Sequence, residues 1–327
     1  MPIPIHAFAP RLGISALYRN ERSYTDQHKK TGPCGGIEKT LATNRFWSCC
    51  IQASPIICCN MSARMAVMRI RPFSLSSKPM PATINHCCFP QPEEGNVRLW
   101  RYMDFTKFVS LVSSTGLFFC RSDLFQDPFE GSYSKANISL RPEVYKDMPE
   151  DQRESMMNSM SSLSRGVREW TYISCWHANE YESAAMWGLY AKTNEAVAIE
   201  TSYDRLRNVL PRRVFLGCVR YIDYNTDWLP EGNSFYPFMH KRKFFEHERE
   251  ARALIQDIDA TIDSLVAAKA NNSTGQLVPI EVNDLISAIH IAPNSPSWLV
   301  DLVTEVASKY EISADMRRSY LYSEPVF

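Results

Sequence analysis

Glu248 and Glu250 stand two residues apart in KRKFFEHEREARALIQ, between a basic, aromatic run and an apolar stretch. In a strand, residues i and i+2 share a face, so this spacing sends both carboxylates to one side. Such a pair either shares a proton or ligand, or is neutralised by arginines such as Arg249 and Arg252. Both readings stand open. The cations Lys241, Arg242 and Lys243 just upstream suit phosphate groups or a solvated face. A second set is aromatic: Trp176, Met186, Trp187 and Tyr190 could stack on a planar ligand or fill a core. A third is the loop QDPFEG, in which Asp127, Glu130 and Gly131 form a site loop or a capped turn.

Other chemistry is missing from the chain. It has no GxSxG, no GxGxxG and no phosphate-binding loop, and His247-Glu248 lacks the second histidine that a zinc-protease helix requires. His177, His240, His247 and His290 have no ligand spacing, so no metal site is expected.

The elements that must position these groups centre on residues 171–190, TYISCWHANEYESAAMWGLY. Tyr172, Ser174 and Trp176 alternate with Ile173 and Cys175, the period of a strand. HANEYES is turn-forming. From Glu182 the spacing becomes helical, placing Met186, Leu189 and Tyr190 on one face with Trp187 beside the seam. Upstream, VRLWRY reads as a strand; Asp104 can cap a helix carrying Phe105, Phe108, Val109 and Val112, which Gly116 ends, and LFFCRS follows as a strand. LFQDPFEG makes a turn, with Asp127 placed to cap and Pro128 at a first helical position. Met156, Met160, Leu163 and Val167 mark an amphipathic helix. After the centre come strand AVAIETSY, helix YDRLRNVL, one long strand VFLGCVRYIDY and strand EARALIQ. A helix over 257–270 is expected to turn Ile258, Ile262, Leu265 and Val266 inward. Short strands QLVPIEV and AIHIA precede a last helix bearing Leu299, Leu302, Val303, Val306 and Tyr310. Without regular βαβ alternation, this order predicts one α+β domain over 97–327, a mixed or antiparallel sheet with flanking helices.

Composition divides the 327 residues differently. The net charge is zero, yet residues 1–92 hold 11 Lys and Arg against 3 Asp and Glu, leaving 25 against 33 from Glu93 onward. Seven of the ten cysteines also lie before Val97. Residues 1–96 show no sustained period. They read as an irregular or disordered extension, as a transit-like leader, or as sequence upstream of a true start near Met61, Met65, Met68 or Met80. Cys120, Cys175 and Cys218 sit singly in apolar strands, as buried thiols of a reducing, cytoplasmic compartment do. No run of 18 apolar residues exists, so no membrane span is expected.

The motifs Leu99-Trp100-Arg101-Tyr102, LFFCRSDLFQDPFEG, ISCWHANEYESAAMWGLYA, KRKFFEHEREARAL and ISAIHIAPNSPSW, in that order, resemble the bacterial family named domain of unknown function 2971 over about 97–322. The order of parts is also similar to that of DNA-targeting ADP-ribosyltransferase toxins. That second resemblance implies an ADP-ribosyltransferase-like fold with NAD as co-substrate and no metal. Arg101 or Tyr102 would take the first-strand NAD position, and Trp176 to Tyr190, Trp187 included, the nicotinamide wall. Arg242 would meet phosphate, and Glu250, or failing it Glu248, would be the catalytic glutamate. The acceptor would be nucleic acid or protein. No His-Tyr-Glu or Arg-Ser-Glu triad is read. The alternative is a non-catalytic module that binds a nucleotide or partner in a phage-defence or regulatory system, with hydrolase or nuclease activity as a third reading. The test is whether Arg101, Trp176 and Glu250 line one cleft.

Overall fold

β1 (Arg98–Asp104) enters the middle of a nine-stranded sheet. The computed structural model describes residues 81–191, 194–267, 270–319 and 321–327. Helix α1 (Phe105–Ser114) buries Phe108 and Val112 of the expected stripe together with Leu111, which was not on it, while Phe105 and Val109 are half-buried. It ends one residue early, because Thr115 and not Gly116 takes the left-handed conformation, at φ 44°. β2 (Gly116–Arg121) follows. QDPFEG forms the capped turn that was one of its two readings, and no helix starts at Pro128: Asp127 Oδ1 accepts from the Phe129 N–H, and Glu130 N–H bonds Asp127 O. Gly131 at φ +68° closes it, and a Cβ there would lie 2.3 Å from Phe238 Cε1, so no other residue fits.

Helices α2 (Lys135–Val144) and α3 (Glu150–Glu169) lead into β3 (Thr171–Ala178) and α4 (Ala184–Tyr190). The Ser183 side chain caps α4 by accepting from Met186 N–H. Next come β4 (Ala196–Ser202) and α5 (Tyr203–Val209). The expected long strand is two: β5 (Phe215–Cys218) stays in the main sheet, while β6 (Arg220–Ile222) pairs in parallel with β7 (His240–Arg242). A 3₁₀ segment, Lys243–Glu248, then leads to β8 (Glu250–Gln256). Helix α6 (Ile258–Ala267), β9 (Gly275–Pro279), α7 (Val282–Leu285), β10 (Ala288–Ile291), α8 (Ser297–Lys309) and β11 (Asp315–Arg318) complete the described chain. The mixed sheet with helices around it is the α+β class expected. No described helix is long and apolar enough to cross a membrane.

Two helical faces differ from expectation. On α4 the buried residues are Met186 and Trp187, while Leu189 and Tyr190 stand outward. On α6 only Thr261 is buried, and Ile258, Ile262, Leu265 and Val266 are exposed. The helix lies against α3 where Gly166 admits Leu265, so its apolar stripe meets a neighbouring helix edge and not the core.

The domain also takes in residues before Val97. Thr83 bridges Phe215 of β5, with N–H and C=O bonded to Val214 and Leu216, and Pro90 O accepts from Cys218 N–H. His86, Phe89, Phe215 and Phe235 form a nest of rings with centroids 4.7–5.5 Å apart. Gly217 is what lets Phe89 approach: a Cβ there would come within 2.8 Å of it. The expected irregular segment therefore yields at least residues 82–91 to the domain, because they supply apolar side chains and backbone partners that β5 lacks. Residues 1–80 of it lie outside the described residues.

The sheet is forked. β3 pairs along one edge with β8, from Thr171↔Gln256 to His177↔Glu250. Its other edge is shared: Tyr172 and Ile173 face β2, whereas His177 and Ala178 face β1. Ser174, Cys175 and Trp176 have no ladder partner there among the described residues. Beyond the fork, β1 continues to β4, β10 and β11, and β2 continues to β9.

Candidate functional site

The fork opens a cavity of about 530 Å³, inside the ordinary range for small-ligand sites. Arg101, Trp176 and Glu250 all line it. Facing residues of an antiparallel pair share a side, so Ser174 and Trp176 point to the face carrying Ala253 and Ala251. Cys175 and His177 point to the face carrying Arg252 and Glu250. The cavity thus takes its lining from both faces of the sheet.

Arg101 bridges the two branches. Its Nη1 donates to Ser174 Oγ at 3.0 Å and its Nη2 to Phe118 O at 3.2 Å, while the guanidinium lies 5.6 Å from the Trp176 ring centroid. Trp176 is buried, and its Nε1 donates to the same Ser174 Oγ at 3.2 Å. Burial pushes the Arg101 pKa down, but an arginine remains protonated. It forms no ion pair among the described residues, so its charge is met only by neutral oxygens and a ring face.

Glu250 is differently placed. Both of its oxygens are bound by Arg252, Nε to Oε1 at 2.9 Å and Nη2 to Oε2 at 3.0 Å. Lys241 reaches Oε2 at 3.3 Å and also bonds Glu248. Arg252 in turn holds buried Glu130 through Nη1 and Nη2 at 2.6 and 2.8 Å. Burial alone would raise the Glu250 carboxyl, but Arg252, Lys241 and a hydrogen bond with Cys175 outweigh it and bring the pKa down to about 2. For Glu130 burial wins over Arg252 and the pKa is raised. Glu248 and Glu250 do converge, though not as strand neighbours. Glu248 ends the 3₁₀ segment, Arg249 turns the chain at φ 40°, and Lys241 is the shared cation. Of the two expected neutralising arginines Arg252 serves and Arg249 does not; Arg249 bonds Asn179 Oδ1.

His177 completes the inner wall. It is 4% exposed, and its Nδ1 lies 2.6 Å from Glu248 O. A carbonyl only accepts, so Nδ1 carries the proton. Burial lowers the histidine's pKa and keeps the ring neutral. Nε2 is therefore an acceptor, and it is buried with no partner, an arrangement that costs about 1–3 kcal/mol.

The remaining sequence candidates divide. Tyr190 lines the cavity at 43% exposure, its hydroxyl pKa raised by burial and then by Glu248. Tyr102 lines it too, but its hydroxyl accepts from Ser183 N–H at 2.7 Å and so fixes the start of α4. Trp187 does not line it: the ring packs edge-on against Tyr102, and Nε1 donates to Glu182 at 2.9 Å. Arg242 is also absent from the lining; it pairs with Asp127 at 2.8 Å and lies over the Phe129 and Phe245 rings. Both are corrections: in each case a carboxylate already engages the polar atoms, five residues upstream for Trp187 and 115 residues away for Arg242. The sequence singles out Glu130 in the QDPFEG loop, and the structure connects it to the cavity only through Arg252, whereas the sequence assigns His177 no role of its own. Glu130 carried a signal in QDPFEG, but its partner Arg252 is 122 residues away.

Among the described residues one group of metal-ligand type occurs, His86, Cys87 and Cys88, with ligand atoms within 4.8 Å of one another. His86 Nδ1 already accepts from the Cys88 N–H. No family model, curated protein or solved structure matches this chain.

Proposed function

We propose that the fork cavity binds a nucleotide of the NAD kind and that the protein is an NAD-using enzyme of the ADP-ribosyltransferase type. The observation that supports this is the meeting of Arg101, Trp176 and Glu250 in one cavity. Cleavage breaks the bond between C1′ of the ribose and the pyridinium nitrogen, and the electron pair leaves with nicotinamide. The ribose is left as an oxocarbenium-like centre, which an ionised carboxylate stabilises. Glu250, held ionised at a pKa of about 2, is that carboxylate. Trp176 and Tyr190 offer ring faces, and Arg101 an uncommitted positive charge for phosphate. A nucleophile on nucleic acid or protein, or water, then bonds C1′ and gives up its proton. The motif likeness to the family of unknown function fits either this role or the next.

One observation favours a second reading. The bidentate grip of Arg252 on Glu250 is also how a structural ion pair looks, and it suits a binding module that senses a nucleotide without cleaving it. Glu250→Gln separates the two. As the electrostatic stabiliser its loss should cut NAD cleavage by about 10² or more, with NAD binding retained. Wild-type protein that binds NAD and never cleaves it selects the binding module; no binding at all overturns both.

A further inference from the structure

The unsatisfied acceptor on His177 has a definite neighbour. His177 and Glu250 face each other in the β3–β8 register, so their side chains leave the sheet on one side with Cβ atoms about 5 Å apart. Both line the cavity. One presents ionised carboxylate oxygens; the other presents a nitrogen lone pair whose tautomer the Glu248 carbonyl fixes. No described group supplies the proton that this lone pair would accept. Nothing else on that wall combines burial with an unmet hydrogen-bonding capacity: Cys175 bonds Glu250, Lys241 bonds both glutamates, and the Tyr102 hydroxyl is held by Ser183.

We infer that His177 Nε2 is the acceptor for the carboxamide N–H of nicotinamide, and so selects the amide dinucleotide over its acid counterpart. This rests on the NAD reading above. If Glu250 stabilises the ribose centre, the pyridinium ring must lie against the same wall. Its 3-substituent is then displaced from C1′ by roughly the spacing of two facing side chains. A carboxamide donates to a neutral imidazole nitrogen; a carboxylate cannot, and sets one lone pair against another. Nε2 is closed to water in the unliganded cavity, so the ligand must displace lining side chains to reach it. Met186, unbranched and adaptable, and half-exposed Tyr190 line the cavity and are suited to give way.

The experiment compares binding of NAD and of nicotinic acid adenine dinucleotide by calorimetry. Wild-type protein should prefer the amide by about ten-fold or more, the scale of one neutral hydrogen bond. His177→Leu should weaken NAD binding by that factor and not weaken the acid form, whose lone-pair clash it removes, so that the preference shrinks. The acid carboxylate is also repelled by Glu248 and Glu250, and it is the shrinkage on substitution that isolates His177. Should His177→Leu fail to fold, the ¹⁵N resonance of Nε2 in wild-type protein decides: it should shift toward a hydrogen-bonded position with NAD and stay put with the acid form. Equal affinity for the two dinucleotides, a preference unchanged in His177→Leu, or a static Nε2 resonance overturns the carboxamide contact alone. Binding of neither dinucleotide overturns the NAD reading and this inference together.

Discussion

Arg252 and Arg101 lie on opposite sides of β3; Arg252 is fully buried and Arg101 half-buried. Arg252 is saturated by two carboxylates, with four charged contacts of 2.6–3.0 Å to Glu130 and Glu250. Arg101 touches only a hydroxyl, a carbonyl and an indole. A buried cation already matched by anions stabilises its surroundings as they are. One matched by neutral acceptors keeps its charge available to whatever enters. The difference separates a frame from a receptor: the sheet is fastened on the β8 side and left electrostatically incomplete at the fork.

The sharpest way to break this contrast is Arg252→Met. It strands Glu130 as a buried, unpaired carboxylate and leaves Glu250 with Lys241 as its only cation among the described residues, and denaturant unfolding should show a loss of about 3–5 kcal/mol. A loss near zero would mean the pair is not buried in solution. Acid titration gives a smaller effect. Glu250, depressed from 4.5 to about 2, contributes stability that is fully present above its ordinary pKa and lost as pH falls through 2. That is about 3 kcal/mol at full extent. Glu130, held above its ordinary value, acts in the opposite sense and returns stability as it protonates. Stability followed by fluorescence should therefore fall between pH 4.5 and 2, and Glu250→Gln should flatten that slope; Glu130 acts above pH 4.5, where Glu130→Gln should remove a gain in stability on acidification and leave the lower slope unchanged. The reverse ordering would exchange the roles of the two carboxylates. The smallest stability effect belongs to Arg101→Met, which removes two hydrogen bonds to neutral acceptors and should cost about 1–2 kcal/mol. Its affinity for NAD should nevertheless fall at least ten-fold, the scale of one charge-assisted contact. Undiminished affinity would make Arg101 a structural tie and no more.

Much of this contrast was legible in the chain. The period-2 pattern at Tyr172, Ser174 and Trp176 located β3, and the apolar run of EARALIQ located β8, because both strands are buried and their patterns are imposed by packing. β11, DMRR, was not legible: it is a polar edge strand whose partner β10 satisfies its backbone, so its side chains carry no alternation. α2 was hidden by Pro142 and its polar face. Arg101, Trp176 and Glu250 were identifiable by type and position. His177 was not, since its character depends on a carbonyl 71 residues away. Trp187 and Arg242 look like ligand-binding residues in sequence, and only the proximity of Glu182 and Asp127 shows that their polar atoms are taken.

The segment from Ala82 to Pro90 has a bearing on colloidal behaviour. By lying along β5 it seals a strand edge whose free N–H and C=O groups would otherwise template pairing with another copy. It also roofs Phe215 and Phe235 with Phe89. A chain shortened to begin at Val97 would keep its fork, its cavity and its ion pairs, and would present an open, aromatic-flanked edge. Its first failing would be self-association rather than loss of ligand, and a soluble fragment needs Ala82 and the residues that follow it.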